Sequence, residues 1–585
     1  MDPSDLADAV RAAETWSNAH GVSTGSALGL ALVSGTGLGL AVDDGVLAIA
    51  CADPSAVVAR IDAVFEPRWV WWDRAGPDAL AAHGVTVDRC WDVLTVHRLL
   101  HGGWRTSIGV VWASLMGLDT SSLPQMGQLD LLGDHGDEGT DPDDPVRPDG
   151  HLRPEWTNGA WAAGPEHLAS WAATALAARQ RQIAALAERP EPRRARSTAH
   201  AESAAESLCA ELAIEGLPVD DAEIHRIIAE AVGPRPADER DALAAQRARD
   251  ADVLRHLDPG PPIDLRNPGD VRAMLRRVAV DVPDTRAWRL EAHRSTHPVV
   301  DALLTWRKAE RIATTYGYRW LDEHVSGGRL HGEWTGSDGA AGRMTASAGL
   351  HNLPAEMRPA IAAEPGHVFV RADLGQIEPR VLAAVSGDPA LVAATRDDDL
   401  YQPVADRLKV TREIAKVAVL GAMYGATTGE SAHALRGLRQ NYPVAMGVLE
   451  EAAACGRAGE DVFTSGGRRV RMWFDDSIDG DIDRARQVAA ARGRFARNAL
   501  IQGAAAEFFK VWAVIVRTRT SSTGGRIVLC LHDELLVHAR SDHADETERI
   551  VHQALAEAAH HWSPQPDVRF LADTSVIARW SEAKA

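Results

Sequence analysis

Cysteine is scarce: the 585 residues hold five, at positions 51, 90, 209, 455 and 530, and no two form a CxxC pair. That spacing excludes a disulfide framework or a cysteine-built zinc site and fits a reducing interior. Long apolar runs are missing too. The most apolar early stretch, residues 27–42, is glycine-rich, ends at Asp43-Asp44 and falls short of the roughly 20 residues a membrane span needs. The N-terminus is acidic and lacks a secretory signal pattern, so a cytoplasmic protein is expected. Positive charge is in deficit, with a net charge of −20. Such a surplus of acid counts against a nucleic-acid partner, although only the local distribution decides that. Acid gathers in residues 130–149, expected to be a solvated loop. Arginine gathers at Arg468, Arg469, Arg471, Arg484, Arg486, Arg492, Arg494 and Arg497, where solvated helix faces would explain it equally well. With 45% hydrophobic and 25% charged residues, the chain should fold into several domains with ample cores.

Two stretches stand out from this background. In the first, Val368, Phe369, Val370 and Ala372 form a short apolar run that ends at Asp373, the pattern of a buried strand closing on a carboxylate. Pro379 then opens a helical run, Arg380 to Val385, where a proline costs no hydrogen bond. In the second, Ile527 to Leu531 and Leu535 to Val537 flank an acidic tip, His532-Asp533-Glu534, which predicts a hairpin that lifts Asp533 beside Asp373. Two buried like charges repel, so such a pair shares a proton or holds cations. Two divalent ions about 4 Å apart are one way to move phosphoryl groups. Taken singly, each aspartate would serve as well to cap a local turn.

A third pattern is Arg412, Lys416, Leu420 and Tyr424, which recur every four residues along one helix face. Thr411 suits its N-cap, and Glu413 suits the positive end of the helix dipole. Two cations a turn apart fit a triphosphate, the arginine with forked contacts and the lysine as a point charge. An amphipathic helix with snorkelling cations would show the same spacing.

Together these residues resemble the family A DNA polymerases, whose type member is bacterial DNA polymerase I. The family's D-Y-S-Q-I-E-L-R is matched by Asp373-Leu374-Gly375-Gln376-Ile377-Glu378-Pro379-Arg380, and its V-H-D-E by Leu531-His532-Asp533-Glu534. Its R-x3-K-x3-F-x3-Y-G is matched by Arg412, Lys416, Leu420, Tyr424 and Gly425. Gly342-Arg343 and the residues after it resemble G-R-L-S-S, His351-Asn352-Leu353-Pro354 resembles Q-N-I-P, and Arg358 the arginine of I-R-x-A-F. Taken alone, Arg343 and Arg358 would be surface salt-bridge partners. Arg494, Asn498 and Gln502 match R-x3-N-x3-Q, and residues 578–583 resemble the closing N-W-x-E-A.

The resemblance implies an α/β multidomain fold: a ribonuclease H-like exonuclease remnant, then a right-hand palm, fingers and thumb polymerase with an antiparallel palm sheet. The implied boundaries are 1–190 for the remnant, 191–300 for the thumb, 301–385 and 494–585 for the palm, and 386–493 for the fingers. Residues 188–199, rich in proline and arginine, are expected to be a linker. The resemblance also implies a template-directed DNA polymerase acting in replication or repair, a monomer whose partners are primer–template DNA and deoxynucleoside triphosphates. Two Mg²⁺ ions (or Mn²⁺) would sit on Asp373 and Asp533, with Lys416 as a third catalytic group. Nucleotide binding would fall to Arg412, Lys416, Leu420, Tyr424, Gln376, Glu378 and His532, with Glu378 as the steric gate against ribose. DNA would be held by Arg343, Asn352, Arg358, Arg494, Asn498, Gln502 and Glu534.

Departures from the pattern matter as much. Leu420 replaces a phenylalanine that packs on the incoming nucleotide, and Leu374 and Gly375 replace tyrosine and serine. In the N-terminal part, Ala27–Val33, Leu38–Val42, Val46–Cys51 and Trp69–Trp72 read as strands and Gly164–Leu186 as a helix, the order of a proofreading exonuclease. Yet the strand that should carry D-x-E reads Leu30-Ala31-Leu32-Val33-Ser34, Trp171 through Ala175 stand for Y-x3-D, and only Asp92 survives. Such a domain cannot assemble two metals, so proofreading is not expected. No room for a separate 5′ nuclease domain is expected either. Rival readings are a DNA-binding protein that has lost catalysis, a metal-dependent nuclease and, more weakly, a single-subunit RNA polymerase.

Overall fold

The computed structural model describes residues 3–103, 106–125, 141–425, 431–473 and 482–583. The chain divides into two compact units, one of Met1–Glu215, Trp334–Thr345 and Gly366–Val576, the other of Gly216–Glu333, Ala346–Pro365 and Ile577–Ala585.

The first unit contains two sheets. The N-terminal one is built from β1 (Ala27–Val33), β2 (Gly37–Val42), β3 (Gly45–Ala50), β4 (Arg68–Trp71) and β5 (Cys90–Asp92), in the order β3-β2-β1-β4-β5. β1–β2 and β2–β3 are antiparallel, whereas β1–β4 and β4–β5 are parallel. Nearly unbroken Leu, Ala and Val in β1 suit a strand covered on both faces, and its five central residues are all buried. Helix α1 (Pro165–Ala187), expected as a helix over Gly164–Leu186, packs across this sheet. Trp72, Trp112, Trp156 and Trp171 fill the space beneath, with ring centroids of Trp72 and Trp171 5.3 Å apart.

The linker expected over residues 188–199 is not there. Helix α2 runs from Pro192 to Glu215, leaving only four residues after α1. Proline in the first turn costs no hydrogen bond, and arginine is a good helix former. Alanines and serines farther along the helix let it bury Ala199, Ala204, Ala205 and Leu208. What reads as a charged break is a helix start. The N-terminal segment of the first unit runs to Glu215, the last residue of α2. Of the acidic stretch, residues 141–149 form turns, and 130–140 lie outside the described residues.

The second sheet is β6 (His367–Leu374), β7 (Arg526–Leu531), β8 (Glu534–Arg540) and β9 (Ala572–Ile577), ordered β7-β8-β6-β9. β6 and β7 both pair antiparallel with β8, and Asp373 stands opposite Glu534. Phe369 and Val370, like Leu535, Leu536 and Val537, are consecutive and fully buried, and since neighbouring residues on a strand face opposite sides, both faces of this sheet are covered. From β6 the chain passes into α3 (Ile377–Ser386), and α4 (Arg412–Tyr424) follows with Thr411 at its N-cap. The 39-residue helix α5 (Ile482–Thr520) packs against α2, α3 and α4 and the helix Ala544–Trp562. It is long and apolar enough to cross a membrane, but 83% of its apolar window is buried inside the protein, so it is a core helix.

The second unit is mostly helical. Helices Asp221–Val232, Glu239–Leu254, Pro268–Arg277 and Pro298–Thr315 are its main elements, and Val271, Met274, Leu275, Leu303 and Leu304 lie in its core. Asn267 caps the third of these helices. Arg358 lies 4.4 Å from the Trp580 ring, and the Asn352 carbonyl accepts from Tyr316 Oη at 2.8 Å.

Candidate active site

The carboxylates come first. β6 ends at Leu374, whose N–H donates to the Asp533 carbonyl at 2.8 Å, tying the strand to the tip of the β7–β8 hairpin. Two non-glycine residues take left-handed backbone at these turns, Gln376 (φ 54°) and His532 (φ 40°). Such conformations cost of order 1–3 kcal/mol and are kept where the surroundings demand them. Here each sits beside a carboxylate. α3 begins at Ile377, two residues earlier than the proline suggests, because Pro379 still falls in the first turn.

Burial raises the Asp533 carboxyl most, followed by Asp373, Glu534 and Glu378 nearby, and pushes it up to about 7. Burial also raises Asp373, against the pull of Arg371. The Arg371 guanidinium donates to Glu534 at 2.9 Å and to Asp373 at 3.0 Å. Hence Glu534, expected among the DNA-binding residues, is held next to Asp373.

A cavity of about 320 Å³ opens beside this cluster, lined by Arg343, Gln376, Glu378, Tyr401, Leu420, Tyr424, Gln502, His532 and Asp533. Glu378 accepts from Tyr424 Oη at 2.8 Å and from Arg343 at 3.4 Å. Gln502 on α5 bonds Tyr424 in turn. Arg343 is backed by a buried network. Lys510 pairs with Glu202 at 2.5 Å and donates to the Gly342 carbonyl at 2.7 Å, while Arg468 pairs with Glu202 at 2.6 Å. Gly342 has φ +64°, and a Cβ there would lie 2.3 Å from Arg468, so only glycine fits before this arginine.

On α4, Arg412 is paired with Asp399, whose other oxygen accepts from Gln376 Nε2 at 2.7 Å. Lys416 is exposed and, among the described residues, has no ion pair. Leu420 forms part of the cavity wall, as the spacing predicts. Leu374 is buried, and the Leu571 side chain fills the space a Cβ on Gly375 would need. These two departures are therefore packed into the core beside β9.

Arg494 and Asn498 lie on α5 about two turns and one turn before Gln502. Arg494 lines a second cavity, of about 470 Å³, with Arg436, Arg439, Arg457 and Arg497. Asn352 and Arg358 belong to the second unit. Sequence reasoning missed Arg371, Asp399, Tyr401 and Asp573. Arg371 had a signal, since residues two apart on a strand share a face. Asp399 sits in a run of three aspartates with nothing to single it out.

In the N-terminal sheet β1 ends without an acid. Asp92 caps the helix that follows, accepting from the Thr95 N–H at 2.8 Å, and is 1% exposed. Burial, with Glu206 and Asp73 nearby, pushes its carboxyl up to about 8. Asp73, just after β4, is a second acid there that the sequence reading passed over.

The sequence profile of DNA polymerase family A matches residues 274–582, more than half of the chain. A thermostable DNA polymerase I of Thermus filiformis is 30% identical over 328 residues, 50% of this chain and 38% of that protein. DNA polymerase I of Chloroflexus aurantiacus is 32% identical over 298 residues, 46% of this chain and 31% of that one. The match thus spans about a third of the length of these relatives. Among solved structures, the polymerase domain of Pol1 from M. smegmatis, in complex with DNA primer-template and dNTP, is similar with a TM-score of 0.66. That likeness covers 97% of this chain and 98% of the other at 21% identity, and it shows the fold: that of a polymerase domain. With the three acidic and cationic motifs gathered around one cavity, the chain belongs to DNA polymerase family A.

Proposed function

We propose that the chain is a template-directed DNA polymerase that extends a primer 3′ end with deoxynucleotides. The observation that carries this reading is the cavity flanked by Asp533, with Asp373 opposite Glu534 on the same sheet and α4 contributing Leu420 and Tyr424. Two hard carboxylate donors in an excess of negative charge fit Mg²⁺ or Mn²⁺. Asp373 and Asp533 would hold such ions, which would supply a lowered pKa for the primer hydroxyl and charge neutralisation for the triphosphate and the leaving pyrophosphate. Lys416 meets the phosphates and gives a proton to the leaving group. Arg412 leaves Asp399 to fork onto the same phosphates.

Glu378 is fixed from two sides and fills the space of a ribose 2′-hydroxyl, so deoxynucleotides are preferred. Tyr424 stands by the templating base. Arg343 checks the minor-groove acceptors common to all base pairs. Asn352, Arg358, Arg494, Asn498 and Gln502 hold primer and template. In this reading residues 301–385 and 494–585 are the palm, 386–493 the fingers and 191–300 the thumb, with α2 helical across the first thumb residues. The N-terminal sheet, with its order 3-2-1-4-5, is a ribonuclease H-like remnant that does not proofread. The enzyme works as a cytoplasmic monomer. Primer extension by Asp533→Ala tests the proposal. Loss of extension with primer–template binding retained is expected, and continued incorporation would overturn it.

A further inference from the structure

Arg371 makes the densest set of ion pairs in the acidic cluster. It precedes Asp373 by two residues on β6, so both side chains rise from one face. Its three nitrogens reach three acids on three strands: Glu534 of β8 at 2.9 Å, Asp373 of β6 at 3.0 Å and Asp573 of β9 at 3.4 Å. The Arg371 side chain is 9% exposed, whereas that of Asp573 is 73% exposed. A planar guanidinium with five donors can span such a set, and an ammonium cannot.

We infer that Arg371 is a resident counter-cation of the metal-holding carboxylates, a positioning residue that keeps Asp373 and Glu534 together without divalent ions and weakens the affinity for those ions. The inference rests on the reading of Asp373 and Asp533 as metal-holding. The reasoning is electrostatic. Without Arg371, Asp373, Asp533, Glu534 and Asp573 lose a cation that contacts three of them, and their mutual repulsion loosens the sheet end. The same change removes a positive charge in contact with Asp373, and an incoming divalent ion is then attracted more strongly.

A role in packing alone, or in pre-forming the ion site, gives a different outcome. If Arg371 aimed the carboxylates at the ions, its loss would weaken ion binding. The experiment is a Mn²⁺ titration by calorimetry, with melting curves in chelator and in saturating Mn²⁺, on the full chain and on Arg371→Leu. The expected result is a lower Tm in chelator, a larger Tm gain on adding Mn²⁺ than in the parent chain, and Mn²⁺ binding roughly tenfold tighter. Unchanged or weaker Mn²⁺ binding would overturn the inference, as would an unchanged Tm in chelator. Should Arg371→Leu fail to fold, Asp573→Asn carries the test at an exposed edge position. With one acid fewer to share it, Arg371 bears harder on Asp373 and Glu534, and Mn²⁺ binding should weaken; unchanged or tighter binding would contradict this. Primer extension by the parent chain is run alongside. Its failure would count against the polymerase reading, whereas the Mn²⁺ and melting results judge Arg371.

Discussion

Asp92 and Asp533 are both aspartates at the end of a strand, both with carboxyls pushed far up, to about 8 and about 7, and in both burial is the chief cause. They nevertheless sit in different chemistry. Asp92 is sealed under α2, caps a helix and has one oxygen with no hydrogen-bond partner. Asp533 stands on a hairpin tip beside a cavity, with Asp373 for company and the cation-bearing helix α4 contributing Leu420 and Tyr424 to the wall. A raised carboxyl alone therefore does not mark a working site. What separates the two is access to solvent and charged groups that a substrate could reach.

The sharpest way to break this comparison is to remove each acid. Asp533→Ala should lower the extension rate by roughly a thousandfold or more, as expected when a metal-holding carboxylate is lost. The matching substitution Asp92→Asn should leave extension unchanged, because a neutral amide can still accept from Thr95. Single-turnover extension assays read both.

Next comes the response to pH and metal. The folded-state value of Asp533, about 7, lies above its ordinary 3.8, so the folded chain holds a proton that the unfolded chain has released. Stability from this source is full below about pH 4 and is lost as pH rises to about 7 and beyond. A divalent ion needs the ionised carboxylate, so its binding releases that proton and strengthens with pH. The rise in Tm on adding Mg²⁺ should therefore grow from about pH 5 to about pH 8, and Asp533→Asn should flatten the trend. Asp92→Asn should leave this metal response in place, since no ion reaches it.

Two smaller effects sharpen the cavity side. Glu378→Ala frees the space beside Tyr424 and should raise ribonucleotide use relative to deoxynucleotide roughly tenfold or more, measured as a ratio of kcat/KM values. Leu420→Phe restores a ring on the cavity wall. It should lower the KM for nucleotide severalfold, consistent with a stacking contribution on the order of 1 kcal/mol. An unchanged KM would mean that Tyr401 and Tyr424 already supply the aromatic surface there.

Much of this was legible in the residues. The apolar run into Asp373, the acidic tip at Asp533 and the four-residue spacing on α4 fold as their periodicity predicts, because each element is short and strongly patterned. The break expected at residues 188–199 failed for a physical reason. Proline marks helix starts as readily as linkers, and only the packing of α2 against its neighbours decides which. Arg371 shares a strand face with Asp373, which the spacing could have shown, but its other two acids, Glu534 and Asp573, arrive from distant parts of the chain and are visible only in the fold. The pairing of Arg412 with Asp399 is of the same kind, visible only once α4 is placed.

The central claim is that Asp373 and Asp533 share one cation-holding cleft, and Mn²⁺ binding tests it without reference to catalysis. Titrations of the full chain, of Asp373→Ala, of Asp533→Ala and of the double variant would be compared. The account expects each single variant to lose the same tight Mn²⁺ binding, with no further loss in the double. Tight binding that survives both substitutions, or separate sites lost one at a time, would contradict it.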